Sequence, residues 1–416
     1  MNIKPKINFF AYLSKRDKPQ KNNCQRNLGI GIAGGLLAAY FGLLLPATSQ
    51  TTSESSKSST DLGKEIVGQI RECVQAKIAN TPNNSQKNQQ ALQAISMQCV
   101  FEVAVLEKNG TVRPDASDRV SALFAVTGFK PPQPTSKGNA TNVGLRYLPR
   151  SRVLTVPVNI GSKTSHFLLD TGASASVISS KNAQQLRLMG VPIPSDVLKY
   201  MGVGGNCSQV KADSLSLPTL GVSSAKVSGL NGLGLSANSI PGKTSGVLGL
   251  DFLSNFDVVV NPKKLRLQLL QPSQPVEKSI PLQGKLGAMT TQVKINGQGP
   301  FTFMLDTGAD VMVISKPLAQ KLKLDNPQAK KTKVQGFCGT ESARKIQLDQ
   351  VSLQEHNINN LDAVILDNDN IFKMLGVEGI VGQNFLTRYQ QHWRFGERSP
   401  LGYPEKGSLT LTPMSK

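Results

Sequence analysis

From about residue 145 onward the chain alternates short apolar runs with polar breaks. Leu265-Arg266-Leu267-Gln268-Leu269 and Leu409-Thr410-Leu411 put an apolar residue at every second position, the period of a strand with one buried face. Few long patterns of helical period occur there, and the breaks are rich in Gly, Pro, Asn and Ser, so mostly β-structure is expected. Short helices are predicted around Ser179–Leu188 and Lys316–Leu324. Upstream the period changes: Ile66, Ile70, Cys73 and Val74 follow helical spacing, as do Leu92, Ile95, Cys99 and Val100. This predicts a small helical region over 61–130, between a Ser/Thr-rich linker at 51–60 and a Pro/Ser-rich linker at 131–144. Cys73 and Cys99 suit either a disulfide that closes a helical hairpin or two thiols on apolar helix faces.

The first 50 residues read as a targeting segment. Seven Lys and Arg precede an apolar run over 28–45, followed by Pro46-Ala47-Thr48. The run lies between a signal-peptide core and a full membrane span, so both a cleaved signal and an uncleaved membrane anchor are open. Either implies export to a periplasm, cell envelope or extracellular space. Gly29-Ile30-Gly31-Ile32-Ala33-Gly34 formally matches a dinucleotide-binding fingerprint, but no strand precedes it and it sits in the leader.

Two segments repeat one another. Phe167-Leu168-Leu169-Asp170-Thr171-Gly172-Ala173 is echoed by Phe303-Met304-Leu305-Asp306-Thr307-Gly308-Ala309. A lone Asp-Thr-Gly arises by chance in roughly one chain in ten of this length. Here each copy follows an apolar strand, and each strand follows a turn, at Gly161-Ser162 and at Asn296-Gly297, so both read as hairpins. The match continues downstream. Val203-Gly204-Gly205-Asn206-Cys207 aligns with Val334-Gln335-Gly336-Phe337-Cys338, and Val247-Leu248-Gly249-Leu250-Asp251 aligns with Ile380-Val381-Gly382-Gln383-Asn384. An internal duplication therefore covers lobes at 145–272 and 273–416, joined near Gln271-Pro272-Ser273-Gln274-Pro275.

A carboxylate at the end of a buried strand is costly, and building it twice suggests that Asp170 and Asp306 meet. Carboxylates a few ångströms apart do not both ionise readily, so the pair should share a proton. One then serves as base toward a water and the other as acid toward a substrate carbonyl. This chemistry calls for no covalent intermediate, metal or cofactor.

These segments resemble the retropepsin-like aspartic proteases, in a tandem, single-chain arrangement similar to the two-lobed pepsins. The resemblance implies two acid-protease β-barrel lobes about a pseudo-two-fold axis, and an endopeptidase acting on extended polypeptides as a monomer. It implies that Thr171 and Thr307 interlock the active loops, that Gly172 and Gly308 allow close approach to the carboxylates, and that Gly249 and Gly382 pass behind the loops. Ala173 and Ala309 stand where pepsins place Ser, as in the retroviral enzymes; loss of that hydroxyl raises the pKa and predicts a mildly acidic optimum. With Ala173, Ser174 and Ala309, Asp310 would line the substrate cleft, Asp310 matching a retroviral substrate-positioning residue. Flap glycines are expected at Gly204, Gly205 and Gly336, without the tyrosine of a pepsin flap. Cys207 and Cys338 fall at corresponding places in these segments, and a bridge between them is left open. A non-catalytic peptide-binding or inhibitory module on the same scaffold is the alternative, as is pairing of lobes between molecules. Asp251 and Asn384, just after the apolar-apolar-Gly segments, suit either hydrogen-bond acceptors behind the active loops or turn residues, and the turn role is preferred.

Charge adds little. The net charge is +20, but the basic residues are scattered apart from Lys330-Lys331-Thr332-Lys333 and Lys263-Lys264. Aromatics are only 5%, which argues against a stacking platform for nucleic acid. His166, His356 and His392 show no metal-ligand spacing, and His166 reads as a sheet residue.

Overall fold

The computed structural model describes residues 59–80, 89–110, 113, 115–128, 133–198, 207, 209–285, 287–398 and 402–414. The leader with its run at 28–45, and Gly204 and Gly205, lie outside these residues. Among the described residues no helix is long and apolar enough to cross a membrane.

Three helices, α1 (Ser59–Ala79), α2 (Gln89–Ala104) and α3 (Ala116–Thr127), form the N-terminal module. Ile66 and Ile70 of α1 share a buried cluster with Val100 and Ala104 of α2 and Val120 and Leu123 of α3. Cys73 and Cys99 are bonded, with Cα atoms 5.7 Å apart, so α1 and α2 are closed covalently. The buried Arg119 of α3 donates to Gln69 Oε1 of α1 and to Val103 O of α2 at 3.1 and 3.2 Å, joining all three helices. The same apolar cluster continues into Ile193, Val197 and Leu198, so the module is seated on the first lobe.

The stretch 131–144, expected as a linker, holds two strands, β1 (Thr135–Lys137) and β2 (Ala140–Gly144). Their partners lie far along the chain, which no local pattern reveals. β3 (Arg146–Tyr147), β4 (Leu154–Ile160), β5 (Lys163–Leu169), β6 (Val177–Ser179), helix α4 (Ser180–Gln185), β7 (Gly190–Pro192) and the single turn α5 (Ser195–Leu198) follow. Then come β8 (Ala212–Ser216), β9 (Leu220–Val222), β10 (Ala225–Ser228), β11 (Asn231–Leu235) and β12 (Gly246–Leu248). They make an 11-stranded sheet in the order β1-β10-β9-β4-β5-β12-β6-β11-β8-β7, with β3 beside β4. One-turn helix α6 (Leu250–Leu253) leads to β13 (Asp257–Asn261) and β14 (Arg266–Leu270).

The second lobe repeats the plan with β15 (Ile280–Lys285), β16 (Ala288–Ile295), β17 (Gln298–Leu305), β18 (Met312–Ser315), α7 (Lys316–Lys321), β19 (Lys331–Gly336), β20 (Gly339–Leu353) and β21 (His356–Leu366). It ends with α8 (Asn370–Leu375), β22 (Gly379–Val381), the one-turn α9 (Gln383–Leu386), β23 (Tyr389–Phe395) and β24 (Lys406–Pro413). The β16–β17 hairpin turns at Asn296 and Gly297, whose φ angles of 50° and 76° are those of a type I′ turn. Ser179 and Ser315 cap α4 and α7 alike, each hydroxyl accepting the N–H three residues on. In both lobes parallel pairs interrupt an otherwise antiparallel sheet: β5 with β12 and β6 with β11, then β17 with β22 and β18 with β21.

The lobes are fused by backbone pairing. β2, β14 and β13, from the flanks of lobe one, continue through β23, β24 and β15 into the 13-stranded sheet of lobe two. Val258 of β13 pairs with Trp393 of β23, and Trp393 is wholly buried on this shared platform. The peptide at 271–275 connects β14 to β15, and Ser273 N donates to Asp257 Oδ1 at 3.0 Å.

Candidate active site

Each active loop leaves the end of a buried strand. β5 delivers Phe167, Leu168 and Leu169 to Asp170, and β17 delivers Phe303, Met304 and Leu305 to Asp306; all six apolar side chains are buried. Asp170 N donates to Leu248 O at 3.1 Å and Asp306 N to Val381 O at 3.0 Å, which pins both loops to the parallel strand beside them.

The loops interlock reciprocally. Thr171 N donates to Thr307 Oγ1 at 3.0 Å and Thr307 N to Thr171 Oγ1 at 3.1 Å. Each hydroxyl donates onward to the opposite lobe, Thr171 to Leu305 O at 3.0 Å and Thr307 to Leu169 O at 2.7 Å. Four bonds between wholly buried groups thus set the separation of the carboxylates. A Cβ on Gly172 would collide with the Asp306 carboxylate, and one on Gly308 with that of Asp170. Only glycine admits this crossed approach.

The electrostatics follow from this geometry. Asp170 Oδ1 accepts from Gly172 N and Ala173 N, both at 2.9 Å, and Asp306 Oδ1 accepts from Gly308 N at 2.6 Å. Burial, and next the Asp306 carboxylate beside it, nonetheless hold Asp170 well above the usual carboxylate range. Burial likewise raises Asp306, against the pull of its hydrogen-bond donors. The pair therefore keeps a proton where isolated carboxylates have lost theirs, and it titrates as a unit.

Gly249 and Gly382 run against the loops too closely for a side chain, beside Ala173 O and Ala175 in one lobe and Ala309 O and Val311 in the other. Just beyond them, Leu250 N and Gln383 N donate to Ala173 O and Ala309 O, both at 2.8 Å. Asp251 and Asn384, expected as turn residues, also accept from active-loop backbone: Ser176 N reaches Asp251 Oδ2 and Met312 N reaches Asn384 Oδ1, each at 2.9 Å. Ser176 and Met312 each lie six positions after an Asp of the dyad, so the repeat alignment carried a signal for this pairing.

A cleft of about 750 Å³ opens over the dyad. Leu168, Val177 and Leu235 line it from one lobe, and Met304, Val313 and Ile380 from the other. Ala173, Ser174, Ala309 and Asp310 lie on its floor beside the dyad. Asp310 is already engaged: its Oδ1 accepts from Ser151 Oγ at 2.9 Å and from Arg152 N at 2.5 Å. It thus ties the second lobe to the strand lead-in of the first, contacts that the sequence pattern did not disclose. The β19–β20 hairpin forms the wall from Thr332 to Cys338, and Gly336 pairs with Gly339 across its tip. Cys338 at this tip is bonded to the buried Cys207 of lobe one, with Cα atoms 4.3 Å apart. Near the cleft, His166 sits in β5 opposite Pro157, as a sheet residue.

Two carboxylates, one from each of two matched β lobes, face each other across the pseudo-two-fold axis. Residues 156–255 and 291–388 each match the family described as gag-polyprotein putative aspartyl protease. The two lobes are retropepsin-like aspartic protease units in tandem within one chain. A solved structure described as a retropepsin-like aspartic protease from Rickettsia conorii is 20% identical, covers 33% of this chain and 93% of its own, and has a TM-score of 0.24. No curated protein matches.

Proposed function

We propose that this protein is an aspartic endopeptidase that hydrolyses extended polypeptides with one composite site, Asp170 from one lobe and Asp306 from the other. The observation that carries the reading is the reciprocal Thr171–Thr307 interlock beneath two carboxylates that share a raised titration. A water held between the carboxylates gives a proton to the ionised member as its oxygen attacks the peptide carbonyl carbon. The protonated member donates to the carbonyl oxygen, giving a neutral gem-diol. Collapse breaks the C–N bond as a proton passes to the leaving nitrogen, and the dyad regains its single proton. The apolar cleft walls suit apolar side chains on both sides of the scissile bond, and the β19–β20 hairpin offers an edge for an extended chain.

The same reading makes the active unit a monomer with an internal pseudo-dimer, spanning about 145–416. It also has the protein exported; the leader with its run at 28–45 and the two disulfides support an oxidising compartment. Cleavage of an unbiased peptide library by the full chain, from about pH 3 to 8, tests it. Cleavage that disappears in both Asp170→Asn and Asp306→Asn is the expected result. A folded protein that binds peptides without cutting them at any pH would instead make it a binding module.

A further inference from the structure

We propose that Asp251 is a positioning residue for the first active loop, an ionisable clamp on Ser176 where the second lobe uses the neutral amide of Asn384. The proposal rests on the peptidase reading above. Ser176 is wholly buried and follows Asp170 by six residues. Asp251 takes both of its donors: Oδ2 accepts Ser176 N at 2.9 Å and Oδ1 accepts Ser176 Oγ at 2.6 Å. Oδ1 also accepts Phe252 N at 2.8 Å. The Ser176 hydroxyl in turn accepts Gly249 N at 3.1 Å, so one chain of hydrogen bonds runs from the strand behind the loop, through Ser176, to the carboxylate. In lobe two Asn384 Oδ1 accepts Met312 N at 2.9 Å while its Nδ2 donates to Asp362 O at 2.6 Å. Met312 has no hydroxyl, and no ionisable group stands in that clamp.

Three donors converge on Asp251, which suits an acceptor-only carboxylate. Protonating it turns one acceptor site into a donor, and the contact to Ser176 must rearrange. Tyr403, on the loop before β24, lies near enough that the Asp251 charge adds to burial in raising the phenol. Arg398, at the start of that loop, donates to Ser254 O and to Gly402 O. Burial pushes the Asp251 carboxyl up to about 6, against the hydrogen bonds that lower it. The clamp on lobe one therefore engages as pH rises through that value, while the clamp on lobe two does not change.

The test compares kcat/KM from pH 4.5 to 7.5 for the full-length wild type, Asp251→Asn and Asn384→Asp. The ratio of wild type to Asp251→Asn should change about threefold or more with a midpoint near 6, and Asn384→Asp should acquire a further ionisation. A merely structural Asp251 would give a ratio that is constant with pH, which overturns the proposal. Backbone amide resonances of Ser176 and Phe252, whose N–H groups donate to Asp251, give a readout without cleavage. In wild type they should titrate near pH 6, and in Asp251→Asn that step should vanish. An inert wild type whose amides titrate this way counts against the peptidase reading alone. Amides that stay flat through this range in wild type overturn the clamp, whether or not any variant folds.

Discussion

Lobe one and lobe two present the same loop at the pseudo-two-fold axis and brace it by different means. At the axis the copies are interchangeable: each contributes an Asp, a Thr that bonds across to the other lobe, a Gly that only hydrogen would fit, and a Gly behind the loop. Away from it they diverge. Lobe two closes a ring of six strands, because β16 pairs with β20 as well as with β17, while the described strands of lobe one leave theirs open. Lobe one holds its loop through Ser176 and a carboxylate, lobe two through Met312 and an amide. Asp310 hooks Ser151 and Arg152 across the cleft, whereas its counterpart is the uncharged Ser174. Groups that must meet their own copy are held to one geometry, and groups that meet anything else are free to differ.

The largest effect should come from breaking the equivalence at the dyad. Asp170→Asn and Asp306→Asn should each reduce kcat by about 10³-fold or more, and the double variant should be little worse, because the carboxylates act as one unit. Their stability should move the other way. Both pKa values are raised in the folded state, so the stability they contribute is present at low pH and lost as pH rises through the dyad's titration. Either Asn variant should therefore melt higher than wild type at pH 8, with the difference shrinking toward pH 4; thermal denaturation against pH would show it.

Next in size is the interlock. Thr307→Val removes the hydroxyl that accepts from Thr171 and donates to Leu169, and strands both buried partners, so a loss of about 2–4 kcal/mol in urea denaturation is expected. Thr307→Ser keeps the hydroxyl and should cost less than about 1 kcal/mol. Equal losses for Val and Ser would mean that packing, not hydrogen bonding, joins the loops. Thr171→Val should match Thr307→Val, since the bonds are reciprocal.

The bond between Cys207 and Cys338 cross-links the halves in addition to the connecting peptide, and it holds the tip of the cleft hairpin. Hydrogen exchange of amides 334–341 should speed up on reduction, or in Cys338→Ser, while amides of β23 stay protected. No change in the hairpin would show that noncovalent packing already holds it.

The smallest effect is expected at Asp310. Its pairing with Arg152 spans 3.9 Å between half-exposed groups, so little stability rides on the charge. Asp310→Asn should alter the melting temperature by no more than about 2 °C. Ser151→Ala, which removes a direct hydrogen bond to Asp310, tests whether the hook acts through its neutral donors instead.

Much of the site is readable in the chain because it is local. An apolar strand ending in Asp-Thr-Gly, a turn such as Asn296-Gly297 before it, and an apolar pair before Gly249 or Gly382 are each short, and each appears twice. The caps at Ser179 and Ser315 are local in the same sense. What the local pattern leaves out is non-local. The strands β1 and β2 look like a linker because their partners, β10 and β14, lie about 85 or more residues away, and their own pattern is polar on one face and too short to register. Asp251 and Asn384 look like turn residues because the backbone groups they accept belong to a loop about 70 residues upstream.

The sequence alone therefore determined the duplicated strand-and-loop units, the pair of Asp residues and the mostly β character, since hydrophobic period and turn chemistry act over a few residues. Tertiary structure decided everything that depends on distant groups meeting. That includes the platform pairing Val258 with Trp393, the bond between Cys207 and Cys338, the hold of Asp310 on Ser151 and the clamp of Asp251 on Ser176. It also decided the raised titration of the dyad, because desolvation and a neighbouring charge exist only once the two lobes have closed around both carboxylates.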